Sequence, residues 1–341
     1  VVERRWTSRA RSPELRWGAG LVAGLLLLAA AAPLVAPYDP DEQLDPAAGK
    51  GRPPGTVLQA VRLADGRWLL AERVERTAAG LRISRLGRSE ELPASEVANL
   101  TPRGVADRRV FLLGSDKFGR DLLSRVIYGA RVSLAVGSLA VALALVLGVG
   151  VGAAAALGGA WLDLVLMRLL DALLAFPPLF LLIALAAFLR PGTAALVGIL
   201  AALSWMAIGR LTRAELLSLR QREFVLAARA MGQPPLAILV RHLLPNAMTP
   251  VLVQAALLVG HLIVLEATLS FLGLGIQPPA ASWGNLLAEG QETLLDSWWM
   301  AVFPGAALAL TVIAFNLLAE GLRDALDPQE RPLQGVTLPT P

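Results

Sequence analysis

Few side chains in this sequence are equipped for chemistry. The two histidines, His242 and His261, carry the groups whose ordinary pKa lies nearest neutrality. On one helix they would stand roughly 28 Å apart, too far to share a metal ion. Cysteine is absent, which removes thiolate metal sites, disulfides and a cysteine nucleophile. The only Gly-Lys pair, Gly49-Lys50, is followed by Gly51 and not by serine or threonine, so the chain offers no P-loop for a nucleotide. Asp116, Arg120, Asp121 and Arg125 interleave opposite charges. On a helix, Asp116–Arg120 and Asp121–Arg125 would pair at a membrane surface, a structural role; contact with a substrate or a partner protein is the alternative. No set forms a nucleophile with its base, and no catalytic residue is expected.

The elements that must position these groups are apolar. Of 341 residues, 55% are hydrophobic and 17% charged, against roughly 25% charged in soluble domains. Mean hydropathy is +0.58. Net charge is +4, and all the basic residues except Lys50 and Lys117 are arginine, without a dense patch interleaved with aromatics. Nucleic-acid binding is therefore not expected. Uncharged runs suited to crossing a bilayer cover Trp17–Tyr38, Val132–Leu162, Ala172–Leu189, Pro191–Gly209, Leu243–Leu265 and Trp298–Ala319. They predict an all-α integral membrane protein with six transmembrane helices. The first run is read as an uncleaved span, not a signal peptide. Residues 1–16 form an N-terminal tail, 17–38 the first span, 39–131 a long loop, 132–327 the core and 328–341 a disordered tail. Arginines cluster in the N-terminal tail and in 210–242, whereas the short outer segments hold Arg190 alone. Both termini are thus expected in the cytoplasm, although the long loop carries sixteen basic residues.

The long loop predicts a small β-rich insert at about 55–101. Thr56–Leu63 and Trp68–Val74 flank an Asp65-Gly66 turn, and Leu81–Leu86 alternates in the same way. It is read as a solvated insert, with a docking surface for an extracytoplasmic partner as the sharper alternative. Gly148 and Gly152 give the second span a small face for helix packing, or a hinge. Pro177-Pro178 predicts a kink in the third span that either lines a passage or fits its neighbours. His261, inside a span, is read as an interhelical hydrogen-bond partner, with a proton or substrate role as the alternative. Trp283, Trp298 and Trp299 are expected as interface anchors.

The segment from Arg210 to His242 is too long for a turn and too apolar for a linker. Ala214–Met231 predicts an amphipathic helix, with Leu216, Leu217, Leu219, Phe224, Val225, Ala228 and Met231 among charged positions. Gly232 suits a left-handed helix end, and Pro234-Pro235 forces a corner before a second helix. Ala227-Ala228-x-x-x-Gly232, followed by Leu244-Pro245, resembles the coupling loop of ABC-importer permeases. Leu226 stands where that pattern has glutamate, and His242 where it has isoleucine. Gly114 to Arg125, Tyr128 to Leu134, Ser270 to Pro279, Ser282 to Asn285, Phe303-Pro304-Gly305 and Asn316 to Pro328 resemble the second permease subunit of the dipeptide/oligopeptide/nickel class. The resemblance covers about Arg16–Tyr38 and Leu113–Pro328 and leaves the β insert outside.

The resemblance implies a type I importer permease fold and a subunit in a bacterial or archaeal cytoplasmic (inner) membrane. It implies a homologous second permease subunit, two cytoplasmic ABC ATPases and an extracytoplasmic substrate-binding protein as partners, besides membrane lipid. ATP and Mg would be bound by the ATPases, with no cofactor in this chain. Coupling positions would be Arg222, Glu223, Ala227, Ala228, Gly232, Leu244 and Pro245. His261, Pro177 and Pro178 are candidates for the substrate path. Di- or oligopeptides are the expected cargo, with nickel chelates or other small solutes as alternatives. A self-contained secondary carrier and a membrane-anchored scaffold are the competing classes. A carrier would need acids within the spans.

Overall fold

A computed structural model describes residues 13–98, 108–189 and 192–326. The α-helices of more than four residues are α1 (Pro13–Ala30), α2 (Leu122–Leu157), α3 (Gly159–Leu174), α4 (Pro178–Leu189), α5 (Thr193–Leu219), α6 (Glu223–Ala230), α7 (Leu244–Phe271), α8 (Trp283–Gln291) and α9 (Trp299–Leu326). Five of them, α1, α2, α5, α7 and α9, are long and apolar enough to cross a membrane. The pair α3 and α4, bent by 84°, adds a sixth crossing if taken as one span. The expected tail beyond residue 327 lies outside the described residues.

Helices and uncharged runs differ in their ends for local reasons. α2 starts at Leu122, ahead of the uncharged run, because Asp121 caps it and accepts the Ser124 amide at 2.8 Å. It stops at Leu157, so the expected Val132–Leu162 span divides at Gly158. The expected Ala172–Leu189 span is also divided. Pro177-Pro178 removes two amides in succession and disfavours helical backbone before each ring, which produces a right-angled break, not a kink. α5 continues through Arg210 and Arg213 because both side chains have partners on α3. Arg210 meets Asp171 at 2.7 Å, and Arg213 forms a two-pronged pair with Asp163.

The core lies where α2, α5 and α7 meet. Leu134, Ala140, Ala144, Leu200, Ile208, Val251, Leu262 and Ile263 are buried there. Gly148 and Gly152 serve packing: a Cβ at Gly148 would stand 2.7 Å from the Ile208 Cβ, and one at Gly152 2.6 Å from the Gly209 carbonyl oxygen. α1 packs along α9, with Gly18 against the Leu318 backbone.

Between α1 and α2 lies the insert. Its strands are β1 (Thr56–Arg62), β2 (Trp68–Ala71), β3 (Arg73–Thr77), β4 (Gly80–Arg85), β5 (Arg88–Pro93) and β6 (Arg108–Phe111). They form two antiparallel sheets, ordered β2-β1-β6 and β3-β4-β5. The Asp65-Gly66 hairpin closes with Arg62 opposite Trp68. The single strand expected over Trp68–Val74 is two strands in different sheets, broken at Glu72. Asp45 ties the insert together: its carboxylate accepts the Leu70 amide at 3.0 Å and both oxygens accept Arg85 Nη2, at 3.0 and 2.8 Å.

Candidate functional site

The element between α5 and α7 sits at the end of the bundle opposite the insert. The expected continuous helix over Ala214–Met231 is broken. α5 ends at Leu219, and Arg222 is extended before α6 starts at Glu223. Arg220 Nη1 donates to the Ala156 carbonyl at 2.5 Å and so fixes the break against the last turn of α2. One side of α6 is buried: Val225 and Ala228 pack with Ala153, Ala156, Leu216, Ile238, Leu243 and Ala247. Ala228 is therefore small because it faces this core. Arg222, Glu223 and Ala227 are exposed.

Gly232 ends α6 at φ +75°. The Gln233 amide donates to the Ala228 carbonyl at 3.2 Å and the Gly232 amide to the Arg229 carbonyl at 2.9 Å. These two bonds form a Schellman helix end, which needs left-handed backbone at this residue. A Cβ at Gly232 would meet no atom within 4 Å, so the glycine is required by backbone geometry and not by space. A turn at Pro235–Ile238 and a π-helical stretch at Leu239–Leu243 lead without a loop into α7, with Leu244 half-buried and Pro245 exposed in its first turn. His242 Nε2 lies 3.1 Å from Gln233 Oε1 across this corner.

The amphipathic reading placed Phe224 and Met231 among the apolar positions of one helix, but the break turns them outward. Phe224 is 43% exposed, Met231 72% and Leu236 69%, with Leu226 and Val240 also exposed. Large apolar side chains thus stand uncovered at this end of the bundle, among the exposed Arg222, Arg229 and Arg241.

The insert end is built differently. Asp116 and Arg120 do pair, at 2.6 Å, but in a loop and not on a helix. The expected Asp121–Arg125 pair is absent: Asp121 Oδ2 accepts the amide and hydroxyl of Ser124, and Oδ1 is buried without a hydrogen-bond partner among the described residues. Arg125, fully buried, stands 3.5 Å from Asp116, 3.6 Å from Glu289 and 3.3 Å from Asp41. Arg120 also reaches Glu289 at 3.3 Å. Burial pushes the Glu289 carboxyl above its usual range, against the pull of Arg125 and Arg120. Burial also raises Asp121, against its bonds from Ser124.

Glu266 belongs to the same end and was not legible in the sequence, where the uncharged run stops at Leu265. The helix runs on to Phe271, so this acid lies buried within α7. Ser133 and Ser270 hydroxyls donate to it at 2.8 and 2.7 Å, and the same hydroxyls accept the amides of Trp283 and Ile276. An acid within a span thus exists, but its hydrogen bonds hold α2, α7 and the segment before α8 together. Trp283 and Trp299 are buried and donate to the Val126 and Ser115 carbonyls, which corrects the expectation that both anchor at an interface. Trp298 is 51% exposed.

The path candidates do not converge on a closed site. Pro177 and Pro178 are exposed at the α3–α4 bend. His261 is exposed on α7, and the interhelical hydrogen bond expected for it is absent among the described residues. No group of three His, Cys, Asp or Glu residues there could hold a metal ion.

The bundle thus carries a bent, exposed corner at one end and a buried polar brace at the other. The family described as "Binding-protein-dependent transport system inner membrane component" matches residues 120–332. The chain belongs to this family of ABC-transporter permeases and is a multi-pass membrane protein. It is 44% identical, over 64% of its length and 73% of the relative, to a putative peptide transport system permease protein of Brucella suis biovar 1. It is 42% identical, over 63% and 71%, to the dipeptide transport system permease protein DppC of Alkalihalophilus pseudofirmus. The inward-facing MetNI methionine ABC transporter is similar in fold, with a TM-score of 0.52 and 19% identity over 60% of this chain and 98% of that one.

Proposed function

We propose that the chain is one permease subunit of an ATP-driven importer of di- or oligopeptides, levered open through the bent element by a cytoplasmic ATPase. The observation that carries the proposal is the exposed apolar surface of Phe224, Met231, Leu236 and Val240 on a corner whose inner side is packed by Val225, Ala228, Ile238 and Leu243. Ala227 lies on the outer side of α6, where a small side chain lets a partner approach. Ala228 packs the corner from inside, Gly232 turns the backbone at its exposed end, Arg222 and Glu223 border its start, and Leu244 with Pro245 begin the helix that carries motion into the membrane. Rigid-body displacement of the corner moves α7. The peptide assignment rests on the relatives' names.

The chain supplies no catalytic residue and no cofactor; ATP and Mg belong to the two ATPases. A second, homologous permease completes the path, a binding protein delivers cargo outside, and both termini face the cytoplasm. The test uses the whole complex in proteoliposomes with its binding protein. Gly232→Trp leaves the complex assembled and hydrolysing ATP but lowers peptide uptake at least tenfold. Wild-type uptake by this variant refutes the coupling role, and a wild-type complex that imports no peptide refutes the cargo.

A further inference from the structure

We infer that one face of α7, carrying Asn246, Gln254, His261 and Thr268, lines the passage and takes the backbone amides and carbonyls of an extended peptide. The inference rests on the importer reading above and gives that reading its contact surface. At 100° per residue, positions 246, 250, 254, 257, 261, 264 and 268 fall within one narrow arc of the helix. Each of them is exposed or half-exposed, whereas Val251, Ala255, Leu258, Leu262 and Ile263 turn into the core.

The arc is polar in a way that lipid would penalise. His261 is exposed, and neither its ring nor the Gln254 amide has a partner among the described residues. Thr268 donates to the Val264 carbonyl at 2.8 Å, which leaves its oxygen free to accept. Asn246 donates to the His242 carbonyl at 2.7 Å, which leaves its own side-chain oxygen free. Pro250 supplies no amide to the Asn246 carbonyl. By contrast, every exposed residue of α2 beyond Arg131 is Ala, Leu, Val or Gly. That face suits hydrocarbon; the α7 face requires water or a polar occupant.

The spacing suits a peptide of any sequence. Gln254, His261 and Thr268 recur every seven residues, about 10.5 Å along the helix. An extended peptide covers that distance in roughly three residues, so backbone groups meet a polar side chain at intervals whatever the side chains are. Leu257 and Val264, 40% and 37% exposed, lie between and accommodate apolar cargo. The corner at Gly232 also runs into α7 without a loop, so a push on the corner displaces this face.

The absence of cysteine from the chain makes the test direct. Single cysteines replace Gln254, His261, Thr268 and, as a control, Leu143 on the apolar face of α2. Each variant is assembled with cysteine-free partner subunits in proteoliposomes. A membrane-impermeant, positively charged methanethiosulfonate is applied, and labelling of this chain is read by mass. Positions 254, 261 and 268 react at least tenfold faster than 143, and saturating dipeptide with binding protein and ATP slows them severalfold. If the wild-type complex imports dipeptide but these positions react no faster than 143, the inference fails while the importer reading stands. Fast labelling that ignores peptide, or shielding by the second permease in every state, also overturns it. If the wild-type complex imports no dipeptide, the importer reading fails, and with it the peptide as occupant.

Discussion

The two ends of the bundle are stabilised by opposite means. At the insert end, charged groups are buried and answer one another: Arg120 and Arg125 lie between Asp116 and Glu289, and Glu266 gathers two serine hydroxyls. At the other end, charged groups stay at least partly exposed, and a thin apolar layer under α6 fixes the corner while large apolar side chains are left uncovered. The insert end packs charge inside the chain, though Asp121 Oδ1 and Arg125 Nε and Nη2 lack a hydrogen-bond partner among the described residues, whereas the other end leaves apolar surface uncovered. Removing a buried partner costs far more than trimming an exposed side chain, so substitutions at the two ends separate by size and by readout.

The largest difference comes from Arg120. Arg120→Ala removes the closer of the two guanidinium groups from buried Asp116 and Glu289 and leaves them only the longer contacts of Arg125, at 3.5 and 3.6 Å, a loss of about 3 kcal/mol. Thermal unfolding of the purified complex in detergent should show it as a lowered midpoint. Arg229→Ala, on the exposed side of α6, should stay within about 0.5 kcal/mol. Equal effects would remove the distinction between the ends.

A pair of glycines sharpens the comparison. Gly114 has φ +87°, and a Cβ there would stand 2.7 Å from both the Arg52 carbonyl oxygen and the Trp299 Nε1. Gly232 has φ +75° with open space around it. Gly232→Ala carries backbone strain alone, about 1–2 kcal/mol. Gly114→Ala adds overpacking of about 1–3 kcal/mol. Unfolding midpoints of the two variants should rank accordingly, and the reverse order would mean the Trp299 side can yield.

The same contrast shows what a sequence carries. The membrane runs, the hairpin at Asp65-Gly66 and the corner at Gly232 were legible because each depends on local composition or local backbone chemistry. The division at Arg222 and the outward turn of Phe224 and Met231 were not. Periodicity alone cannot distinguish an apolar residue facing its own core from one awaiting a partner. Glu266 escaped because a single acid ends an uncharged run whether or not its helix continues. The hydroxyls that hold it come from positions 133 and 270, which no local pattern connects. Asp121 was assigned to Arg125 by spacing, yet helix capping claimed it first.

Acidity offers a subtler comparison. Burial raises Glu289 and Asp121 above the ordinary carboxylate values. Across the interval between the ordinary and the raised value, the folded chain holds protons that the unfolded chain has released. The stability that these two raised carboxyls contribute is thus present below about pH 4 and is lost as pH rises through the interval. Unfolding midpoints measured upward from pH 4 should fall more in the wild type than in Glu289→Gln, which cannot titrate. Parallel curves would show that the ion network, and not burial, sets the charge of Glu289.

The smallest effect on the chain itself is expected at Phe224. Its ring is 43% exposed and contributes little to the layer beneath α6, where Val225 and Ala228 do the packing. Phe224→Ala should leave the unfolding midpoint of the isolated permease pair unchanged within about 0.5 kcal/mol. A buried aromatic anchor in a protein interface, by contrast, is often worth 2 kcal/mol or more, about thirtyfold in affinity. The same variant should therefore release the ATPase subunits in a titration that leaves wild type assembled. A side chain that matters to the complex and not to the fold is what an unfinished surface predicts. If Phe224→Ala destabilises the isolated pair and binds ATPase as wild type does, the ring belongs to this chain's own packing, and the two ends are alike.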